Sequence, residues 1–324
     1  MEPIGGYFSL ELNKGEEFHR DALKLNAGRY ALEYILKARR YRKIYLPYYI
    51  CESVLEPVNR QHVEYEFYHL NAQLEPAVKL YPEDDEVVLY VNYFGLNNIT
   101  VDTVCNSYHN TIIDQTQAFY SRQGNPCHKP DFHCDTFYSC RKFFGVADGA
   151  YLYTDCRLRE EPPRDESFHR MTFLTKRIDR SPHEGYSDFR NNDVNLSFVG
   201  MRRMSHLTES IMSSIDYTVK ANRRINNFIL LDKVLRNTNL LKWDMDLGSV
   251  PLVYPYYVKH GSRLRQHLID NQIFCARYWP NVLEWCKSSD YEYRLAENCV
   301  CLPIDQRYNE NDMHFVLKII DSFK

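Results

Sequence analysis

The chain has no run of apolar residues approaching the ~20 that a membrane span requires. It has no internal repeat and no low-complexity tract. Nor does it carry a surplus of positive charge: 40 Lys and Arg against 43 Asp and Glu leave a net charge of −3. That balance argues against a partner such as nucleic acid or an anionic membrane surface. The opening residues Met1-Glu2-Pro3-Ile4-Gly5-Gly6 are neither basic nor apolar, so no secretory signal is read there. The 10 cysteines are accordingly expected as free thiols of a cytoplasmic protein, not as a disulfide framework. Cys127-His128 and His133-Cys134 bracket a short loop. Their spacing matches none of the familiar zinc patterns, and adjacent side chains do not readily reach one ion, so no metal is expected.

What is present is enough apolar material for a large core, at 44% of 324 residues, and an abundance of tyrosine, 26 in all. Most of those rings suit a core whose hydroxyls find partners. From residue 26 the chain alternates helical and strand patterns, which predicts a mainly parallel sheet covered by helices. Ala31, Leu32, Ile35 and Leu36 fall at helical spacing; short strands follow at Lys43–Leu46, Val63–Tyr68, Val87–Tyr93, Thr111–Ile113 and Ala150–Tyr153. Residues 157–190 are dense in charge and interrupted by Pro162-Pro163 and Pro182, and read as an irregular connection. Helical periodicity returns over Leu207–Leu235. Then come a strand at Leu252–Val258, a helix at Ser262–Asp270, a strand at Ile273–Arg277 and a last helix from Asp312. The expected division is a large domain, 1–214, and a small α+β domain, 215–324.

Two side chains in this frame draw attention. Asp114 stands at the end of a buried strand, the place where open α/β sheets bind ligands. Lys142 follows the next strand, with Phe137, Tyr138, Phe143 and Phe144 around it, apolar surroundings that lower a lysine pKa. Each has a plainer use, as a helix cap and as a surface lysine. Together they fit one device, because pyridoxal phosphate needs a lysine for its aldehyde and an acid for its ring nitrogen. Its phosphate needs a cradle, which Asn26-Ala27-Gly28-Arg29 at a helix start offers, with Ser139 as a further hydroxyl. Gly28 alone would be an ordinary helix-entry turn.

The chain resembles the DegT/StrS family of sugar aminotransferases, a branch of the fold-type-I pyridoxal-phosphate enzymes, in six segments taken in order. Gly28-Arg29-Tyr30-Ala31-Leu32 is similar to the family's phosphate segment, and Leu46-Pro47-Tyr48-Tyr49 to its Val-Pro-aromatic segment. Tyr93-Phe94-Gly95 matches its Tyr-Gly turn, and Ile113-Asp114-Gln115-Thr116-Gln117-Ala118 its Glu-Asp-Ala-Ala-Gln-Ala segment. Ser139–Gly149 resembles the stretch that carries the family's lysine, and Arg277-Tyr278-Trp279-Pro280 with Leu302-Pro303 resembles the closing segments.

The resemblance implies an α/β fold of type I and a Schiff base between Lys142 and pyridoxal 5'-phosphate. It implies Asp114 at the pyridinium and Gln117 near the phenolic oxygen. Gly28, Arg29 and Ser139 would meet the phosphate, and Tyr49 would lie near the ring. It further implies a homodimer with shared active sites, and transfer of an amino group from an amino acid, glutamate foremost, to a nucleotide-linked keto sugar. The family's sugar dehydratases carry histidine in place of Lys142. Arg29 replaces a threonine, and Gly200-Met201-Arg202-Arg203 lacks the asparagine that reaches the neighbouring subunit. Arg202 is the candidate replacement, with a merely solvated arginine as the alternative. That departure leaves a second reading open, a non-catalytic protein of the same fold that binds a nucleotide sugar or a partner.

Overall fold

The computed structural model describes residues 4–121, 129, 131–243, 245–246 and 248–323. Cys127 and His128 lie outside the described residues. Seven strands form the main sheet: β1 (Leu23–Leu25), β2 (Lys43–Pro47), β3 (Glu64–Tyr68), β4 (Glu86–Val91), β5 (Asn110–Asp114), β6 (His133–Ser139) and β7 (Ala150–Tyr153). Their order is β1-β7-β6-β5-β4-β2-β3. β3, β2, β4, β5 and β6 run parallel, while β7 is antiparallel to both β6 and β1. Every residue of β4 and β5 is buried, as expected of central strands covered on both faces. Asp114 pairs in register with Val91 on one side and Phe137 on the other. The carboxyl ends of β4, β5 and β6 therefore emerge at one edge of the sheet.

Helix α1 (Gly28–Arg39) buries Tyr30–Leu36 and packs on β6 and β7, with α2 (Leu55–Arg60) beside it. Helix α3 (Asn98–Ser107) lies on β4 and β5. The segment expected as an irregular connection instead contains two helices, α4 (Thr172–Asp179) and α5 (Pro182–Leu196), packed on each other. Pro182 is the reason for the misreading. It stands at the first helical position, where a missing N–H costs nothing, and the Ser181 hydroxyl accepts from the Glu184 N–H. The proline starts a helix here.

The expected helix over Leu207–Leu235 is two, α6 (His206–Ser213) and α7 (Tyr217–Leu235), the second capped by Asp216. The expected boundary at 214/215 falls in the turn between them. Beyond α7, β8 (Tyr254–Tyr257) pairs antiparallel with β9 (Cys299–Leu302), and α8 (Gly261–Asp270), α9 (Val282–Trp285), α10 (Tyr291–Asn298) and α11 (Glu310–Asp321) complete the chain. The strand expected at Ile273–Arg277 does not form; only Ala276 bridges to Cys301. The Arg265 side chain donates to the Cys275 carbonyl at 2.9 Å, taking an acceptor a ladder would use. Among the described residues no helix is long and apolar enough to cross a membrane.

Candidate active site

Asp114 is delivered by the last step of β5 and is buried. Its Oδ1 accepts the Thr116 N–H at 2.8 Å, the local turn an aspartate makes with the backbone two residues on. Burial raises its pKa, opposed by the charge of Lys142 and the bonds from Thr116. Lys142 lies in the turn between β6 and β7, and its Nζ donates to the Thr116 hydroxyl at 2.8 Å. Thr116 thus joins the two side chains, one through its backbone and the other through its hydroxyl. Its γ-methyl faces the helix entry, where a Cβ added to Gly28 would meet it at 3.3 Å. Gly28, Asp114, Thr116 and Lys142 form one constellation at the sheet edge.

The turn bearing Lys142 is anchored on both sides. The carbonyl of Phe143 accepts from Gln306 Nε2 at 2.6 Å and from Arg224 at 3.5 Å. Arg224, 1% exposed, also donates to the Leu252 carbonyl at 3.0 Å, so the carboxyl-terminal part of the chain grips the backbone next to Lys142. On the other side, buried Asp148 accepts from the Ser205 N–H and hydroxyl, both at 2.8 Å, and from Thr208. Gly149 follows at φ 120°, where a Cβ would meet Cys140 Sγ at 2.9 Å. Only glycine lets the chain turn back there into β7.

Gln117 is fully buried. Its Oε1 accepts the Phe94 N–H at 2.7 Å, and its Nε2 has no partner. Ser139, at the end of β6, makes no side-chain hydrogen bond among the described residues. The first turn of α1 has no side-chain cap, and the N–H groups of Gly28 and Arg29 make no hydrogen bond among the described residues. The constellation thus includes two bare N–H groups at Gly28 and Arg29, and the chain beside it carries an unpartnered amide at Gln117 and an uncommitted hydroxyl at Ser139.

Several expectations require correction. Lys142 is exposed, not enclosed by its aromatic neighbours: Phe143 and Phe144 are buried and turn inward, against Phe119. The Arg29 guanidinium, expected at a phosphate, is held by both oxygens of Glu56 at 2.7 and 2.8 Å and by Ser197. An arginine bound this way is an anchor for α1. Tyr49 is wholly buried, edge-on to Trp279 at 5.1 Å and tilted against Tyr93, and has no open face for a cofactor ring. Arg202 lies beside Asn26 of its own chain, whose backbone N–H donates to its carbonyl at 2.9 Å. Its Nε reaches the Val199 carbonyl, and it makes no ion pair among the described residues.

Sequence reasoning passed over Thr116, although an aspartate two residues before a threonine is a legible turn signal. Nothing local pointed to Arg224 or Gln306, which come from distant parts of the chain. A cavity of about 470 Å3 opens beside Lys142, lined by Arg141, Phe173, Arg177, Tyr186, Phe189 and Arg307 among others. Four of these six belong to the α4–α5 hairpin, within the stretch expected as an irregular connection.

Neither a protein-family model nor a curated protein matches the chain. Solved structures do. A sugar aminotransferase from Micromonospora echinospora superposes with a TM-score of 0.64 at 13% identity, over 94% of this chain and 88% of that one. An aminotransferase from Streptoalloteichus hindustanus gives 0.62 at 16% identity, over 92% and 84%. A DegT/StrS-type aminotransferase from Brucella abortus gives 0.60 at 13%, over 94% and 89%. The chain is therefore similar to these enzymes in fold along nearly its whole length, and the expected fold type I is the one observed.

Proposed function

We propose that the protein is a pyridoxal-phosphate-dependent aminotransferase acting on a sugar. The observation that carries this reading is the Thr116 bridge, which brings a lysine amine and a buried carboxyl together at the carboxyl edge of a fold-type-I sheet. Asp114 would hold the ring nitrogen, whose positive charge would favour the carboxylate against the burial that raises its pKa. The unpartnered Nε2 of Gln117 would donate to the phenolic oxygen. The bare N–H groups at Gly28 and Arg29 and the Ser139 hydroxyl would take the phosphate. Arg29 would contribute through its backbone, because its side chain belongs to Glu56.

When bound, the cofactor supplies an electron sink for the charge left as a proton leaves the carbon bearing the amino group. Lys142 Nζ would take up that proton and return it, and the bonds to the Phe143 carbonyl and to Asp148 would steady the turn that carries it. Thr116 orients the amine in the interval. The substrates in this reading are an amino acid, glutamate foremost, and a keto sugar linked to a nucleotide. The neighbouring enzymes named as sugar aminotransferases support the sugar.

A homodimer belongs to the same reading. Ile178, Tyr186 and Phe198, on or next to the α4–α5 hairpin, are 84%, 59% and 81% exposed, an apolar surface that suits a second copy. Arg202 is the candidate for contact with the substrate or the neighbouring site. The test is direct. Incubation with pyridoxal phosphate and borohydride should label the peptide containing Lys142, and Lys142→Ala should remain folded yet lose both the label and transamination. Label on another lysine, or full turnover in the variant, overturns the proposal.

A further inference from the structure

We propose a second ligand site, for a diphosphate group, in the groove between the carboxyl end of α1 and residues 157–160. The groove has a volume of about 710 Å3, within the range of small-molecule sites. Lys37 and Arg40 stand on one side of it, and Arg157 and Arg159 on the other. Among the described residues none of the four makes an ion pair or a side-chain hydrogen bond, and Glu33, the carboxylate nearest Lys37 along α1, is held by Arg60. Their neighbours behave differently: Arg29, Arg39, Arg42 and Arg60 are all held by carboxylates. Glu160 is the one carboxylate on the lining. The wall residue Tyr41 is 7% exposed, and its hydroxyl is buried without a partner.

Four like charges around one groove repel each other, and an anion between them relieves that repulsion. The carboxyl end of α1 contributes only about half a negative charge, too little to do so. Two cations from each segment in a groove of this volume suit two linked phosphoryl groups better than one compact ion. Leu36, Ala38, Val63 and Leu158 add apolar lining, against which a base attached to the phosphates could pack. The site is distinct from that of Lys142. α1 touches Thr116 at Gly28 and runs 12 residues, so its far end lies about 18 Å away. Both can be filled at once, and this proposal does not depend on the one for catalysis.

Residues 157–160 are tied to α1 by a bond from the Leu158 N–H to the Tyr34 hydroxyl at 3.0 Å. A diphosphate spanning the groove would fasten the two further. Titration calorimetry of the full chain with inorganic pyrophosphate should therefore give one saturable site that persists in Lys142→Ala. The double variant Lys37→Ala/Arg159→Ala should bind at least tenfold more weakly, and pyrophosphate should slow tryptic cleavage after Arg157 and Arg159 in the wild type only. All four cations are exposed, so these substitutions leave the core intact, which circular dichroism checks. UDP binding with equal or greater affinity that is likewise weakened in Lys37→Ala/Arg159→Ala would place the diphosphate in a nucleotide. Absence of saturation at millimolar pyrophosphate, undiminished binding by the double variant, or equal displacement by sulfate would each overturn the proposal.

Discussion

Replacing Thr116 by valine removes one hydroxyl and little else. The γ-methyl facing Gly28 stays, and so does the backbone N–H that donates to Asp114. What disappears is the 2.8 Å bond from Lys142 Nζ, together with the hydroxyl's own contribution to the Asp114 carboxylate. A hydrogen bond to a charged group is worth about 1.5–3 kcal/mol in a buried setting. Lys142 is exposed, so water replaces the hydroxyl and the loss shrinks to ~1 kcal/mol, about fivefold in a rate. Stopped-flow absorbance during attachment of pyridoxal phosphate should show that slowing. The melting temperature should barely move, because the removed group packs nothing. An attachment rate equal to wild type would show that Thr116 does not orient the amine. A loss as complete as that of Lys142→Ala would show that the hydroxyl does more than orient it.

Three other outcomes are expected. If Asp114 is the acid at the pyridine nitrogen, single-turnover transamination by Asp114→Asn should fall by orders of magnitude while the variant still binds cofactor; rates within a few-fold of wild type would remove Asp114 from the role. His19 is buried against Phe119 and Tyr138, and burial lowers its pKa to about 4 from 6.5. Its neutral form is the folded one, so its contribution is complete above pH 6.5, declines between 6.5 and about 4, and is constant below, ~3 kcal/mol across the window. Urea unfolding at either end should show a smaller pH dependence in His19→Gln, and an unchanged dependence would point to other groups. If Arg202 serves a neighbouring site, mixing Lys142→Ala and Arg202→Ala subunits should restore activity; no recovery after confirmed exchange would confine it to its own chain.

The sequence alone carried the parallel sheet, because helical and strand patterns alternate along it and Val87–Val91 of β4 is a continuous apolar run that fits a strand covered on both faces. It pointed to Asp114 and Lys142 together, since the first ends a legible strand, the second follows one, and the order of segments around them is distinctive. The Asp114–Thr116 turn was legible too, being a local hydrogen bond two residues long. Local signals misled at Pro182, where the same residue that breaks a helix interior also begins one, and the difference lies in Ser181 and Glu184 beside it. They misled again at Arg29 and Tyr49. Nothing near Arg29 announces Glu56, which reaches it from the next helix, and the burial of Tyr49 depends on Trp279, more than two hundred residues along the chain. The grip of Arg224 and Gln306 on Phe143 was decided in the same way. Strand periodicity and turn chemistry are properties of neighbours in sequence. Which charge a guanidinium meets, and whether a ring keeps an open face, is set only when distant segments close on each other.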